Sequence, residues 1–83
     1  MSRSDAQPRY GVVLFRSVHA ALAAEKRLQA EGIEYKLIAV PSHLSSNCGF
    51  CIRFAWADKS RLEQLLQDPT LSVERIVPLD GYG

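Results

Sequence analysis

Two cysteines three positions apart, in Cys48-Gly49-Phe50-Cys51, are the residues of this chain whose type and spacing could do chemistry. A thiolate attacks sulfur, carries it onward and binds soft metals, so the pair can be read as a working nucleophile, a redox couple or half of a metal site. Fully extended, cysteines at this spacing would stand about 10 Å apart against a disulfide limit of about 7 Å, so a bridge requires a bend at Gly49. Redox CxxC motifs sit at helix starts, whereas Cys51 falls within a strongly alternating strand pattern. A zinc site would have to be completed by His19 and His43, there is no second CxxC, and the spacing is unlike the usual zinc patterns. A soft-metal chaperone would place its CxxC in the loop after the first strand, which here reads Arg16-Ser17-Val18-His19. No Ser-His-Asp set, phosphate-binding glycine loop or carboxylate pair accompanies the thiols, so no enzymatic activity and no cofactor are expected.

The elements that must position these thiols follow from hydrophobic patterning. Gly11 to Phe15 is a short β-branched and aromatic run that suits a central strand. Ser17 stands at an N-cap position, and Val18, Ala21, Leu22, Glu25, Leu28 and Gln29 recur at helical spacing as the expected inward face. Gly32 ends that helix as a C′ residue, with Lys26 and Arg27 near its C-terminal dipole. Tyr35 to Val40 reads as a second strand stopped by Pro41, and Ser42 to Gly49 as the longest internal loop. Phe50, Ile52, Phe54 and Trp56 then alternate with Cys51, Arg53, Ala55 and Ala57 in a third strand. Asp58 is the expected N-cap of a second helix with a Leu62, Leu65 and Leu66 stripe, ended by Asp68-Pro69, and Val73 to Pro78 supplies a last strand.

The order βαββαβ predicts an α+β, ferredoxin-like sandwich: a four-stranded antiparallel sheet with both helices on one face. Right-handed crossovers put the first and third strands in the middle. The bulky face of the third strand should meet the helices, leaving Cys51 and Arg53 on an uncovered face available to a partner or a second copy. In this topology the loop bearing Cys48 leaves the sheet at the same end as the N-terminus of the first helix. Unpaired amides and a partial positive charge there would favour a thiolate, with Arg16, Ser17 and His19 beside it. Gly49 lets the backbone turn tightly and leaves the sulfur uncovered. Arg16 and Arg53 could hold an anionic sulfur or selenium species by charge-assisted hydrogen bonds. Each of these residues also has a plainer reading: Cys48 as a small, unreactive loop residue, His19 and His43 as solvated polar residues, and the arginines as surface charges. Trp56 and the phenylalanines read as core.

Composition excludes several classes. Eighty-three residues allow one small domain, expected over 10–79, with a flexible segment at 1–9 and a tail at 80–83. Ten basic and nine acidic residues give a net charge of +1, too little for a general nucleic-acid binder. No apolar run approaches the roughly 20 residues of a membrane span, and Met1 to Pro8 lacks the apolar core of a secretion signal. A cytoplasmic protein with reduced thiols is expected.

The stretch Gly11 to Leu22, then Glu25-Lys26, Val40-Pro41 and Leu44-Ser45-Ser46-Asn47-Cys48-Gly49 resembles the Se/S carrier protein-like family of short bacterial domains. The resemblance runs from about Tyr10 to Val77, and its most specific part is the Ser-Ser-x-Cys-Gly segment after a proline-ended strand. It implies a carrier whose cysteine, here Cys48 with Ser46 and Gly49 in its motif, holds persulfide or selenide between a donor such as a cysteine desulfurase and an acceptor. Two positions depart from the family: Cys51 stands where a small residue is expected, and Ser42 replaces a basic residue after the proline. The competing expectation is a regulatory or interaction module that forms a homodimer through the open sheet face, its thiols incidental. A redox or metal-binding CxxC is the third.

Overall fold

The computed structural model describes residues 9–42, 44 and 49–79. Their elements run β1 (Tyr10–Phe15), α1 (Val18–Glu31), β2 (Tyr35–Ala39), β3 (Phe50–Ala55), a 3₁₀ turn (Trp56–Asp58), α2 (Lys59–Leu65), a second 3₁₀ turn (Pro69–Leu71) and β4 (Val73–Pro78). The strands form one antiparallel sheet in the order β2-β3-β1-β4. This is the expected ferredoxin-like α+β arrangement, with β1 and β3 central. The expected segments at 1–8 and 80–83 lie outside the described residues. Arg9, assigned to the lead-in, accepts a hydrogen bond from the Trp56 N–H at 3.0 Å.

β1 reads as a continuous apolar run because both of its faces are covered. Val13 and Phe15 join Ile52 and Phe54 beneath α1 and α2, while Val12 and Leu14 belong to a second cluster on the opposite face. Gly11 is required by a close approach: a Cβ there would lie 2.5 Å from Trp56 Cε3 and 2.8 Å from Phe54 Cζ. A bulge next to Leu14 lets both Val73 and Ile76 of β4 turn to the helix side, by pairing Leu14 with Arg75 but Phe15 with Val73.

α1 starts as expected, with Ser17 Oγ accepting the Ala20 N–H at 3.2 Å. It ends at Gly32 with φ 71°, where Gly32 donates to Gln29 and Ile33 to the Leu28 carbonyl, a Schellman closure. Its inward face differs from expectation. Ala20, Ala21, Ala24 and Leu28 are buried, whereas Val18 and Leu22 are 41% and 44% exposed. Three alanines let the helix lie close to the sheet, and that rotation turns the bulkier pair outward. Nor does Arg27 serve the C-terminal dipole: the last turn carries no cation, and Arg27 reaches across to Asp68 at 2.7 Å.

β3 also departs from strict alternation at both ends. Phe50 is 47% exposed, and the strand stops at Ala55, so Trp56 opens a 3₁₀ turn while its ring stacks on Phe54 with centroids 6.0 Å apart. Asp58 occupies the N-cap position of α2 without a side-chain cap bond, because the preceding 3₁₀ turn already winds the chain into the helix. The leucine stripe is as expected, with Leu62 and Leu66 buried and Leu65 packed against them.

The face expected to be open is not open at its centre. Cys51 is fully buried with Val12, Leu14 and Leu79, and Ile38, Val40, Leu44 and Val77 pack against them. The physical reason is Leu79, which leaves β4, donates its N–H to the Tyr10 carbonyl at 2.9 Å and folds into that cluster.

Candidate functional site

Strand register brings the candidate site to one end of the sheet. Leu14 of β1 pairs with Cys51 of β3, so the start of β3 lies beside the end of β1, from which α1 departs three residues after Phe15. β2 pairs with β3 through Ala39 and Phe50, and the Val40 N–H donates to the Gly49 carbonyl at 3.1 Å. The β2–β3 connection is therefore closed at its base, at the end of the sheet where α1 begins. Leu44 donates to the Pro41 carbonyl at 2.9 Å, forming a turn just beyond the strand. Cys48, Ser46 and His43 lie outside the described residues.

Among the described candidates, Arg16, Ser17 and His19 stand together at the exposed start of α1. Arg16 is anchored through its main-chain N–H to the Ser72 carbonyl at 3.1 Å. The Ser17 hydroxyl is engaged in the cap, and the Ala21 N–H takes the Ser17 carbonyl at 3.2 Å, which leaves the amides of Val18 and His19 as the outward donors of the first turn. No acidic residue occupies that turn, so the positive end of the helix dipole is not offset locally. The side chain of His19 lines a shallow groove along the outer face of α1 with Leu22, Ala23 and Lys26.

Gly49 is exposed, and a Cβ at that position would meet nothing within 4 Å. The chain bends at Gly49 with a φ that is not positive, a bend that requires no left-handed angle. The space outside Gly49 is open. Cys51 does not share that space: it is buried on the helix-free face. His19 belongs to α1 on the opposite side of the sheet, so these two members of the four-ligand set weighed for zinc are separated by the sheet itself. Among the described residues no group of three His, Cys, Asp or Glu side chains could hold a metal ion. Arg53 also stands away from the loop, half-buried with its guanidinium carbon 4.3 Å from the Tyr10 ring centroid, near the other end of the sheet.

The family described as "Putative Se/S carrier protein-like" matches residues 10–78, which takes in every strand and helix of the sandwich. The chain belongs to this family. No curated protein matches it, and no solved structure does. Within this Se/S carrier-like domain, no described helix is long and apolar enough to cross a membrane.

Sequence reasoning passed over one property of this end of the molecule. Val18, Leu22 and Phe50 are the large apolar side chains left exposed among the described residues, and all three were assigned to the core. Ala20, Ala21 and Ala24 carried the missing signal, since a run of small residues on one helix face marks a close approach.

Proposed function

We propose that this domain is a non-enzymatic carrier of sulfur or selenium, loaded on the Cys48 thiol and unloaded onto an acceptor. The Cys48 thiol gives up a proton, and its thiolate attacks the outer sulfur of a donor persulfide. The new sulfur–sulfur bond forms at Cys48 as the donor's own bond breaks, and the donor cysteine leaves as a thiolate that takes a proton. A cysteine desulfurase is the donor class that presents such a persulfide, and a reducing, cytoplasmic setting keeps the carrier thiol available. Delivery reverses the step, with an acceptor thiolate attacking the carried atom.

The observation that carries this reading is the base of the β2–β3 connection. It closes at an exposed glycine adjoining Cys48, at the end of the sheet where the acid-free first turn of α1 opens. A helix end of that kind stabilises a nearby thiolate or persulfide anion. Burial of Cys51 favours Cys48 over its neighbour as the atom that meets a partner. Dimerisation through the helix-free face has less support, because the centre of that face is filled from within by Leu79.

Intact-mass measurement after incubation with a cysteine desulfurase and cysteine tests the proposal. Wild type should gain about 32 Da per carried sulfur. Cys48→Ala should gain nothing, and an equal adduct on that variant, or none on wild type, would remove Cys48 from the role.

A further inference from the structure

We infer that the flank of α1 above β2 and β3 docks a partner protein presenting an apolar side chain between carboxylates. On the carrier reading, from which the partner's identity is taken, this is the protein that hands sulfur to the loop. The surface is built from the three exposed apolar side chains. Val18 and Leu22 stand one turn apart, in a row that continues through Glu25 to Gln29. Gln29 Nε2 donates to the Tyr35 hydroxyl at 2.7 Å, so this row is the flank facing β2. The opposite flank is occupied, with Arg27 bound to Asp68 and the Glu31 carbonyl accepting from Arg61 at 3.4 Å.

Phe50 completes the patch from below. It opens β3 opposite Ala39, on the same sheet face as Ile52 and Phe54 and beneath the helix that packs on that strand. The patch thus occupies the end of the sheet at which the β2–β3 connection is closed. Exposed apolar groups gathered in one place on a small domain mark an interaction surface, whereas the same groups scattered would not.

Charge selects the partner. Arg16 precedes the patch, and His19 and Lys26 border it along the outer groove. Among the described residues Arg16 and Lys26 enter no ion pair. The one acid of the row, Glu25, lies beyond Leu22 on the side of Gln29 and away from Val18. An apolar centre with a cationic rim fits a knob flanked by Asp or Glu, and the rim speeds encounter.

The test compares two sulfur sources. Persulfide formation is followed by mass for wild type, Leu22→Asp, Lys26→Glu and Arg61→Glu, the last on the far flank, using a cysteine desulfurase charged with cysteine and, separately, inorganic polysulfide. Loading from the desulfurase should fall about tenfold in Leu22→Asp and about threefold in Lys26→Glu, and stay near wild type in Arg61→Glu. Polysulfide, which needs no docking, should load all four alike. Desulfurase loading of both patch variants within twofold of wild type, with polysulfide loading intact, overturns the docking surface. If wild type takes sulfur from neither source, the carrier reading fails. Fluorescence anisotropy with the desulfurase then judges the surface alone: tighter binding by wild type than by Leu22→Asp upholds it, and equal or absent binding overturns it. All three substituted residues are exposed, and a thermal melt of each variant establishes that it is folded.

Discussion

Leu14 and Cys51 face each other across the β1–β3 ladder, and neither exposes any side chain to water. The pairing divides the CxxC unequally. In the native protein a maleimide should label Cys48→Ala, which retains only Cys51, on the order of a hundredfold more slowly than Cys51→Ala, because reaching Cys51 requires the sheet to open. Equal rates would show that burial does not separate the two thiols.

The same burial sets a stability prediction. Cys51→Ala should cost about 1–2 kcal/mol by leaving a small cavity among Val12, Leu14 and Leu79. Urea denaturation of the variant checks this, and an alanine variant as stable as wild type would mean that the cluster closes over the lost sulfur.

Gly11→Ala should be among the most damaging single changes available. Its methyl would press on the rings of Trp56 and Phe54, at a cost of about 1–3 kcal/mol. Because the β1 backbone itself needs no left-handed angle at Gly11, pairing the change with Trp56→Leu should recover part of the loss. A double variant no better than the single would move the blame from sterics to the backbone.

Ser17 separates structure from chemistry. Ser17→Ala should lower stability by about 1 kcal/mol through loss of the cap. Ser17→Asp should keep the cap while placing an anion at the helix start, and should therefore slow alkylation of Cys48 near neutral pH by raising its pKa. If the aspartate leaves the alkylation profile unchanged, the helix end does not act on that sulfur.

Acid unfolding has a local reporter in Asp68. Its carboxylate is held at about 2, below its usual 3.8, first by the Thr70 N–H, then by the Thr70 hydroxyl and the Arg27 guanidinium. The depressed value means that the folded state favours the ionised form. The resulting stabilisation is complete above the unfolded value near pH 4 and disappears as the pH falls toward about 2. The difference in melting temperature between wild type and Asp68→Asn should therefore be constant from pH 6 to about 4.5 and shrink below it. A difference that does not change down to pH 2 would exclude this group from the acid limb.

Most of the fold was readable because its signals are local. Ser17, Gly32, Pro41 and the Val73–Pro78 run each mark an element end by their own backbone chemistry, and every one of those boundaries stands within a residue of its expected place. What was not readable depends on distance between elements. Which face of α1 turns inward is decided by how closely three alanines let it approach the sheet, a property of the pair of surfaces and not of helical period alone. Whether Cys51 is covered depends on Leu79, twenty-eight residues away along the chain, folding back across the sheet. At the site, spacing and resemblance pointed to Cys48, and strand register brings the base of its loop to the start of α1. Nothing in the residue types at 18, 22 and 50 distinguished a buried apolar side chain from one kept for a partner.

The hydrogen bond from Val40 to Gly49 has an evolutionary corollary. By clasping the two strand ends together, it closes at its base a connection of eight residues, of which Leu44 packs back against the sheet. Residues can be added to or removed from that connection without shifting the ladder between β2 and β3, because closure grows harder only slowly with length. Sheet geometry and loop length can then be selected independently, and one sandwich can carry connections of different length between the same two strand ends.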